Sequence, residues 1–250
     1  MYYYVIRKRN ILRKDIIVPS PRFLCSFDLE TTGVDVTTDR IVTAACLDID
    51  TKGPAGNNTN MHTWLANPGI EIPTGASDVH GITTEIAQRD GRNHDEVLWE
   101  VINHIRSAWA HGAALVVYNA AFDLSMLHVL SGGEFTIDGP VIDPLVIDKG
   151  IDQYRRGSRK LVNVAAHYGI EFDENEAHAA DADCLAAARV AWKMLEHNLV
   201  TDDLEELMYL QKRWKQEQFS SLADYLARKG DKIDGDGGWP IQQQAFDATK

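Results

Sequence analysis

The order of apolar patterns along the chain predicts an α/β fold in which a mixed central β-sheet is flanked by helices. Three strand-like runs come first, and helical and strand-like segments then alternate. A meander followed by this alternation is typical of a mixed sheet with helices packed on it. One more helical segment near the C-terminal end predicts a helical extension of the fold.

The meander is predicted from short apolar runs at residues 23–27, 41–49 and 62–66. The first run is mostly apolar and is typical of a buried strand. Residues 67–82 contain several Pro and Gly residues, which favour a loop.

The alternating part is predicted from the spacing of apolar residues, with a period near four for helices and continuous runs for strands. In order it has a helix (residues 95–110), a strand (114–118), a helix (121–130), a strand (140–146), a short helix (161–168) and an Ala-rich helix (181–195).

We divide the chain into a basic N-terminal arm (1–20), a main domain (21–199) and a C-terminal helical extension with a tail (200–250). In the extension, Thr201 or Asp202 is expected to cap a helix that Ser220-Ser221 interrupts. This helix either packs back on the main domain or guides a strand or partner.

Composition limits the function classes. The net charge of −12 over 250 residues argues against a broad basic surface that coats nucleic acid, although it allows an enzyme that grips a short strand end. No apolar run approaches the ~18 residues of a membrane span. Three widely spaced cysteines and the lack of a secretory pattern favour reduced thiols and a cytoplasmic location.

Asp28 and Glu30 lie two residues apart at the end of the first predicted strand, so both side chains point to one face. Two neighbouring carboxylates repel each other and need a cation, or one of them must take up a proton. Oxygen ligands suit Mg²⁺ or Mn²⁺. The alternative is a solvated strand end with no ligand.

Asp123 and Asp183 each lie near the start of a predicted helix, and His178 lies on the loop before the second of these helices. Alone, an acid in a first helical turn is explained by the helix dipole, and a single histidine by the surface. In combination with Asp28 and Glu30, they predict a carboxylate cage for two divalent ions with a histidine beside it. Two such ions and a nearby base are the groups needed to hydrolyse a phosphodiester bond.

Three blocks carry a family resemblance: F-D-L-E-T-T-G at 27–33, Y-N-A-A-F-D at 118–123 and H-A-A-D-A-D at 178–183. With V-H-G-I-T at 79–83 and V-I-D-P-L at 141–145, they resemble the DEDDh 3′–5′ exonucleases, which include the proofreading epsilon subunit of bacterial DNA polymerase III. The resemblance covers about residues 22–198 and is nearest to stand-alone actinobacterial and actinophage members. Tyr118 stands where a histidine is frequent in that family.

The resemblance implies a ribonuclease H-like exonuclease domain that releases nucleoside monophosphates from a 3′ end. It implies that two Mg²⁺ or Mn²⁺ ions are bound, and that His178 is the general base. The implied metal ligands are Asp28, Glu30, Asp123 and Asp183. The implied substrate contacts are Leu29, Thr31, Thr32 and His80, although the first three could simply form a turn that bends at Gly33.

The preferred substrate is predicted to be DNA with a single-stranded or frayed 3′ end, because only an unpaired end enters a narrow site without the cost of unpairing. Proofreading, repair or replication would be the role. An RNA exonuclease resembling ribonuclease T or oligoribonuclease is the first alternative, and a non-catalytic nucleic-acid-binding scaffold is the second.

Besides the DNA 3′ end, a DNA polymerase or a sliding clamp is a candidate partner. Residues 242–246 (QQQAF) partly resemble the Q-x-x-L-F peptides that bind clamps, with Ala245 in place of the larger apolar anchor. The preferred interpretation of these last residues is a frayed C-terminus.

Overall fold

The computed structural model describes residues 21–53, 58–171, 179–197, 199–232 and 235–250. The predicted basic arm and the candidate base His178 lie outside these ranges.

A six-stranded sheet with the strand order β4-β3-β2-β1-β5-β6 organises these residues. The strands are β1 (Phe23–Thr31), β2 (Ile41–Asp50), β3 (Thr59–Asn67), β4 (Arg92–Asn93), β5 (Ala113–Val116) and β6 (Val141–Ile142). Pairing is antiparallel within the β1–β2–β3 meander. It is parallel between β1 and β5, between β5 and β6, and between β3 and β4. The predicted mixed sheet is confirmed.

Helices cover both faces of this sheet. They are α1 (Thr74–His80), α2 (Thr84–Asp90), α3 (His94–Ala110), α4 (Ala120–Leu130), α5 (Pro144–Ile151), α6 (Leu161–His167), α7 (Ala180–Glu196), α8 (Leu204–Lys229) and α9 (Gln243–Ala248).

Successive side chains of β2 point to opposite faces of the sheet and pack into two separate cores. Cys46 packs with Val101 and Ile105 of α3 on one face, and Ala45 packs with Cys184 of α7 on the other. Because many α7 residues that face the sheet are alanines, the helix can lie close to it. This close packing places the start of α7 beside the second half of β1.

For two segments the predicted type of secondary structure is wrong. The loop predicted at 67–82 contains α1, which ends at Gly81 with a φ of 77°. The strand predicted at 140–146 is only β6, and α5 begins directly after it. Asp143 caps α5 by accepting hydrogen bonds from the backbone N–H groups of Leu145 and Val146. This Asp-Pro start outweighs the apolar run that favoured a strand.

The helix of the C-terminal extension is continuous. It passes through Ser220-Ser221 without a break, and Asp203 rather than Thr201 or Asp202 is its N-cap. Serine in a helix interior costs only about 0.5 kcal/mol relative to alanine, so two serines do not stop a helix held by packing. The predicted interruption was therefore wrong.

The C-terminal residues pack on the main domain instead of fraying. Trp239, Ile241 and Ala245 are buried in the same core as α3 and α4, and Phe246 lies edge-on to His128 of α4 at 4.5 Å. The expectation of a frayed C-terminus is corrected by this packing.

None of the helices in the described ranges is long and apolar enough to cross a membrane.

Candidate metal centre

Asp28 and Glu30 lie within β1, which runs on to Thr31 instead of ending at residue 27. Their period-two spacing points both carboxylates to the α7 face. Asp183 is in the first turn of α7. One carboxylate oxygen from each of these three residues lies within 4.8 Å of the other two.

Asp123 reaches the centre from the first turn of α4 and is only 3% exposed. Its Oδ1 accepts a hydrogen bond of 3.1 Å from the backbone N–H of Leu29, between Asp28 and Glu30. The parallel partner β5 pairs with β1 only as far as Ser26 and Val116, which leaves this N–H available. The shortness of β5 therefore lets a side chain of α4 bind the strand that carries the other acids.

The electrostatics of the centre show a shortage of positive charge. Burial, and then the charges of Asp123, Asp183 and Glu30, raise the pKa of Asp28 well above its usual value. Burial and the charge of Asp183 raise the pKa of Glu30 to about 8. Burial likewise raises the pKa of Asp123. The four carboxylates cannot all ionise at neutral pH without a compensating cation.

The donor set fits hard divalent cations. It consists of carboxylate oxygens alone among the described residues, as Mg²⁺ and Mn²⁺ prefer. Asp28, Glu30 and Asp183 have the mutual spacing of ligands to one ion, and Asp123 adjoins them. His178 lies outside the described residues, so its role as a base stays a prediction.

A buried carboxylate that sequence reasoning did not assign to the site supports the turn before α4. Asp143 is fully buried, and it accepts hydrogen bonds of 3.0 Å from the backbone N–H groups of Asn119 and Ala120. Asn119 has a left-handed backbone with a φ of 67°. These bonds hold the turn that aims Asp123. The Asp-Pro pair after a strand was the sequence signal that could have revealed it.

The predicted substrate contacts differ in their surroundings. Leu29 is among the residues that line the cleft at the carboxylates, but its side chain is 6% exposed and packs in the core that contains α3. The Thr31 hydroxyl donates to the carbonyl of Gly33, whereas Thr32 is 2% exposed and donates to Asp39. His80 accepts from the N–H of Ile82 through Nδ1, and its buried Nε2 has no hydrogen-bond partner among the described residues. Substrate contact by all four stays a prediction.

One wall of the cleft is cationic, which the sequence analysis did not anticipate. The cleft has a volume of about 490 Å³, and Lys149, Arg159 and Lys160 line it together with the acids. Arg159 is fixed by an ion pair with the buried Asp148, and its carbonyl accepts the Tyr118 hydroxyl at 2.5 Å. Tyr118 thus braces the basic wall in this chain. The basic run at residues 155–160 was the available signal.

Comparisons with known proteins agree with the motifs. Residues 25–191 match the exonuclease family model RNase_T. A Rhodobacter capsulatus protein described as a DNA polymerase III subunit epsilon-like protein is 32% identical over 174 residues, which is 68% of this chain and 23% of that protein. The chain therefore spans less than a quarter of the length of this relative.

Solved structures share the fold. The nuclease domain of 3′hExo, described as a DEDDh family member bound to rAMP, gives a TM-score of 0.56 at 18% identity and covers 71% of this chain and 93% of that one. An Escherichia coli ExoI–ssDNA complex gives 0.56 at 19% identity and covers 76% and 43%. Both support the ribonuclease H-like fold expected from the motifs. The family match extends over most of the main domain and includes all four acids of the cage, so the chain belongs to the RNase_T exonuclease family.

Proposed function

We propose that this chain is a metal-dependent 3′–5′ exonuclease that hydrolyses DNA from single-stranded or frayed 3′ ends and releases nucleoside monophosphates. The observation that supports this most is the carboxylate group of Asp28, Glu30 and Asp183, within 4.8 Å, with Asp123 fixed beside it by Leu29. The family match supports exonuclease chemistry, and the name of the Rhodobacter capsulatus relative supports a DNA substrate and a role in replication, repair or proofreading.

The four acids would hold two divalent ions, Mg²⁺ or Mn²⁺. Bound there, the ions would supply a water of lowered pKa and would stabilise charge on the attacked phosphate and its leaving oxygen. His178 is proposed to accept the proton of the attacking water. Leu29, Thr31, Thr32 and His80 are proposed to contact the terminal nucleotide.

The basic wall has its own part in this proposal. In a chain of net charge −12, Lys149, Arg159 and Lys160 place positive charge along the cleft that leads to the acids. Such a local field attracts a phosphate backbone even when the rest of the surface repels it. The strand would therefore approach along this wall.

Digestion of 5′-labelled single-stranded DNA and RNA oligomers of one sequence, with Mg²⁺, Mn²⁺ or EDTA, tests the proposal. We expect a metal-dependent ladder on DNA that Asp183→Asn abolishes. Asp181→Asn is the matched control, because Asp181 is an exposed acid two residues earlier in the same helix. A ladder mainly on RNA would move the substrate to RNA with the same chemistry. No ladder on either polymer would favour the scaffold alternative.

The role of His178 needs a separate variant. His178→Ala is expected to lower the rate by roughly 10²–10⁴-fold while the fold and metal binding are retained, because a general base contributes about that much. His197→Ala, which removes an exposed histidine at the end of α7, is the control and should be active. Equal activity of both variants would exclude His178 as the base.

A polymerase or sliding clamp is the partner that a proofreading or replication role would require. The epsilon-like relative supports the first of these, and co-migration of the full chain with a polymerase subunit in size-exclusion chromatography would test it. The clamp is less supported, since Ala245 of the QQQAF segment is buried against the main domain.

A further inference from the structure

A second group of metal-ligating side chains lies on the sheet face opposite the candidate metal centre. Asp48 of β2, His62 of β3 and His104 of α3 each offer a donor atom within 4.8 Å of the other two. Asp48 follows Cys46 by two residues and so shares its face, which is covered by α3. Asp28 and Glu30 of the candidate metal centre point instead toward the opposite face, which α7 covers.

The distances in this group match those of a tetrahedral metal site. Asp48 Oδ2 lies 3.0 Å from His104 Nε2 and 3.4 Å from His62 Nε2. Donor atoms bound to Zn²⁺ at ~2.0–2.1 Å in a tetrahedron are separated by about 3.3 Å. A cation could therefore enter between these atoms with little movement of the backbone.

The two imidazoles are arranged to share one ion. Their rings lie 4.5 Å apart, and both Nε2 atoms face the same carboxylate oxygen. An Asp–His ion pair would need only one of them. The His104 ring is held by an edge contact with Trp64, with centroids 5.8 Å apart.

The side chain of Asn60 lies close enough to serve as a fourth ligand. Asn60 pairs with Asp48 across the strands, and its side-chain amide lies 2.7 Å from His62 Nε2. Because the oxygen and nitrogen of an amide exchange places by a simple flip, Asn60 can present its oxygen to the same position. The Asp48 side chain is 38% exposed and that of His62 is 36% exposed, so a cation can enter from water.

The nearby cysteines are less suited to this role. Cys25 and Cys46 also lie within 4.8 Å of a His104 nitrogen, but both are fully buried. A thiol binds metal as the thiolate, which a buried apolar environment disfavours. The partly exposed imidazole and carboxylate donors are therefore the better ligands.

We propose that Asp48, His62 and His104 form a second cation site, which takes a transition metal of the Zn²⁺ class and ties β2, β3 and α3 together. It is separate from the proposed nuclease centre in position and in ligand chemistry. Imidazole ligands suit zinc, copper, nickel and iron, whereas Mg²⁺ prefers oxygen. Excess Mg²⁺ is therefore expected to occupy the proposed nuclease centre and to leave this group free.

Co²⁺ titration of the full chain in excess Mg²⁺ tests the proposal by visible absorption. We expect the intense bands of four-coordinate Co²⁺ at one equivalent, lost in Asp48→Asn and in His62→Gln. His111→Gln, an exposed histidine just after α3, is the matched control and should keep the bands. The Asp28→Asn/Asp183→Asn double variant should keep them as well.

Thermal unfolding gives a second readout that does not depend on spectra. Zn²⁺ should raise the unfolding midpoint of the wild-type chain and not that of Asp48→Asn, because only the folded site binds it. Weak octahedral bands in the wild type, or intense bands that persist in His62→Gln, would overturn the proposal. Thiolate charge-transfer bands lost in Cys46→Ser would also overturn it by assigning the metal to the cysteines.

Discussion

Glu30 is proposed to bind metal as a carboxylate, but its ionised form destabilises the folded chain when no metal is bound. Burial and the neighbouring Asp183 raise its pKa to about 8, against an ordinary value of 4.5. Its protonated form is therefore favoured in the folded chain without metal. The stabilisation that this gives is fully present below about pH 4.5 and is lost as the pH rises through 8.

The Glu30→Gln variant, which carries no titrating group, tests this conflict. In EDTA at pH 9 it should be more stable than the wild type by an amount on the order of a few kcal/mol, and the difference should shrink toward pH 5. Urea unfolding at both pH values measures it. With Mg²⁺ the order should reverse, because the variant loses a ligand. A constant difference between the two proteins across this pH range would contradict the assigned burial of Glu30.

At the scale of single residues, the acids of the cage were predictable and their supports were not. The cage follows from local signals: a two-residue spacing on a strand and acids in first helical turns. The support of Asp123 by Leu29 joins residues 94 apart, and that of the Asn119 turn by Asp143 joins residues 24 apart. Such contacts depend on where β5 ends and α5 starts, which no short sequence window contains.

At the scale of elements, the contact between α5 and α8 depends on a glycine. A Cβ built on Gly150 would lie 2.4 Å from the ring of Trp214, so the close approach of these helices requires glycine at this position. The sequence analysis treated residues 140–146 as a strand and therefore could not pair the two helices. Apolar periodicity predicted α8 itself, but its packing partner required α5 to be recognised.

Gly150→Ala should therefore destabilise the protein by about 1–3 kcal/mol, the usual cost of overpacking a well-filled contact. Gly75→Ala in α1 is the matched control, because its Cβ meets no atom within 4 Å. There, alanine should be neutral or stabilise by up to about 1 kcal/mol through helix propensity. Chemical denaturation of the three proteins gives both values, and equal stability of the two variants would refute the tight α5–α8 contact.

At the scale of the whole molecule, the C-terminal extension contributes to the frame of the candidate metal centre. Trp239 donates its indole N–H to Oδ2 of Asp143 at 3.2 Å, and Gln211 of α8 accepts the backbone N–H of Asp143. The same carboxylate holds the turn before Asp123. The family match ends at residue 191, so this tie lies between the matched region and the residues beyond it.

Trp239→Phe removes the indole N–H but leaves an aromatic ring in the core. The variant should stay folded, with a loss of about 1–3 kcal/mol, because a buried charged acceptor loses one donor. Under the proposed function, its Mg²⁺-dependent rate should fall several-fold, since the turn that aims Asp123 is held less firmly. Phe246→Tyr, a change at a 40% exposed ring in the same extension, is the control and should match the wild type. If Trp239→Phe is less stable than the wild type but keeps the full Mg²⁺-dependent rate, the extension stabilises the domain without positioning Asp123.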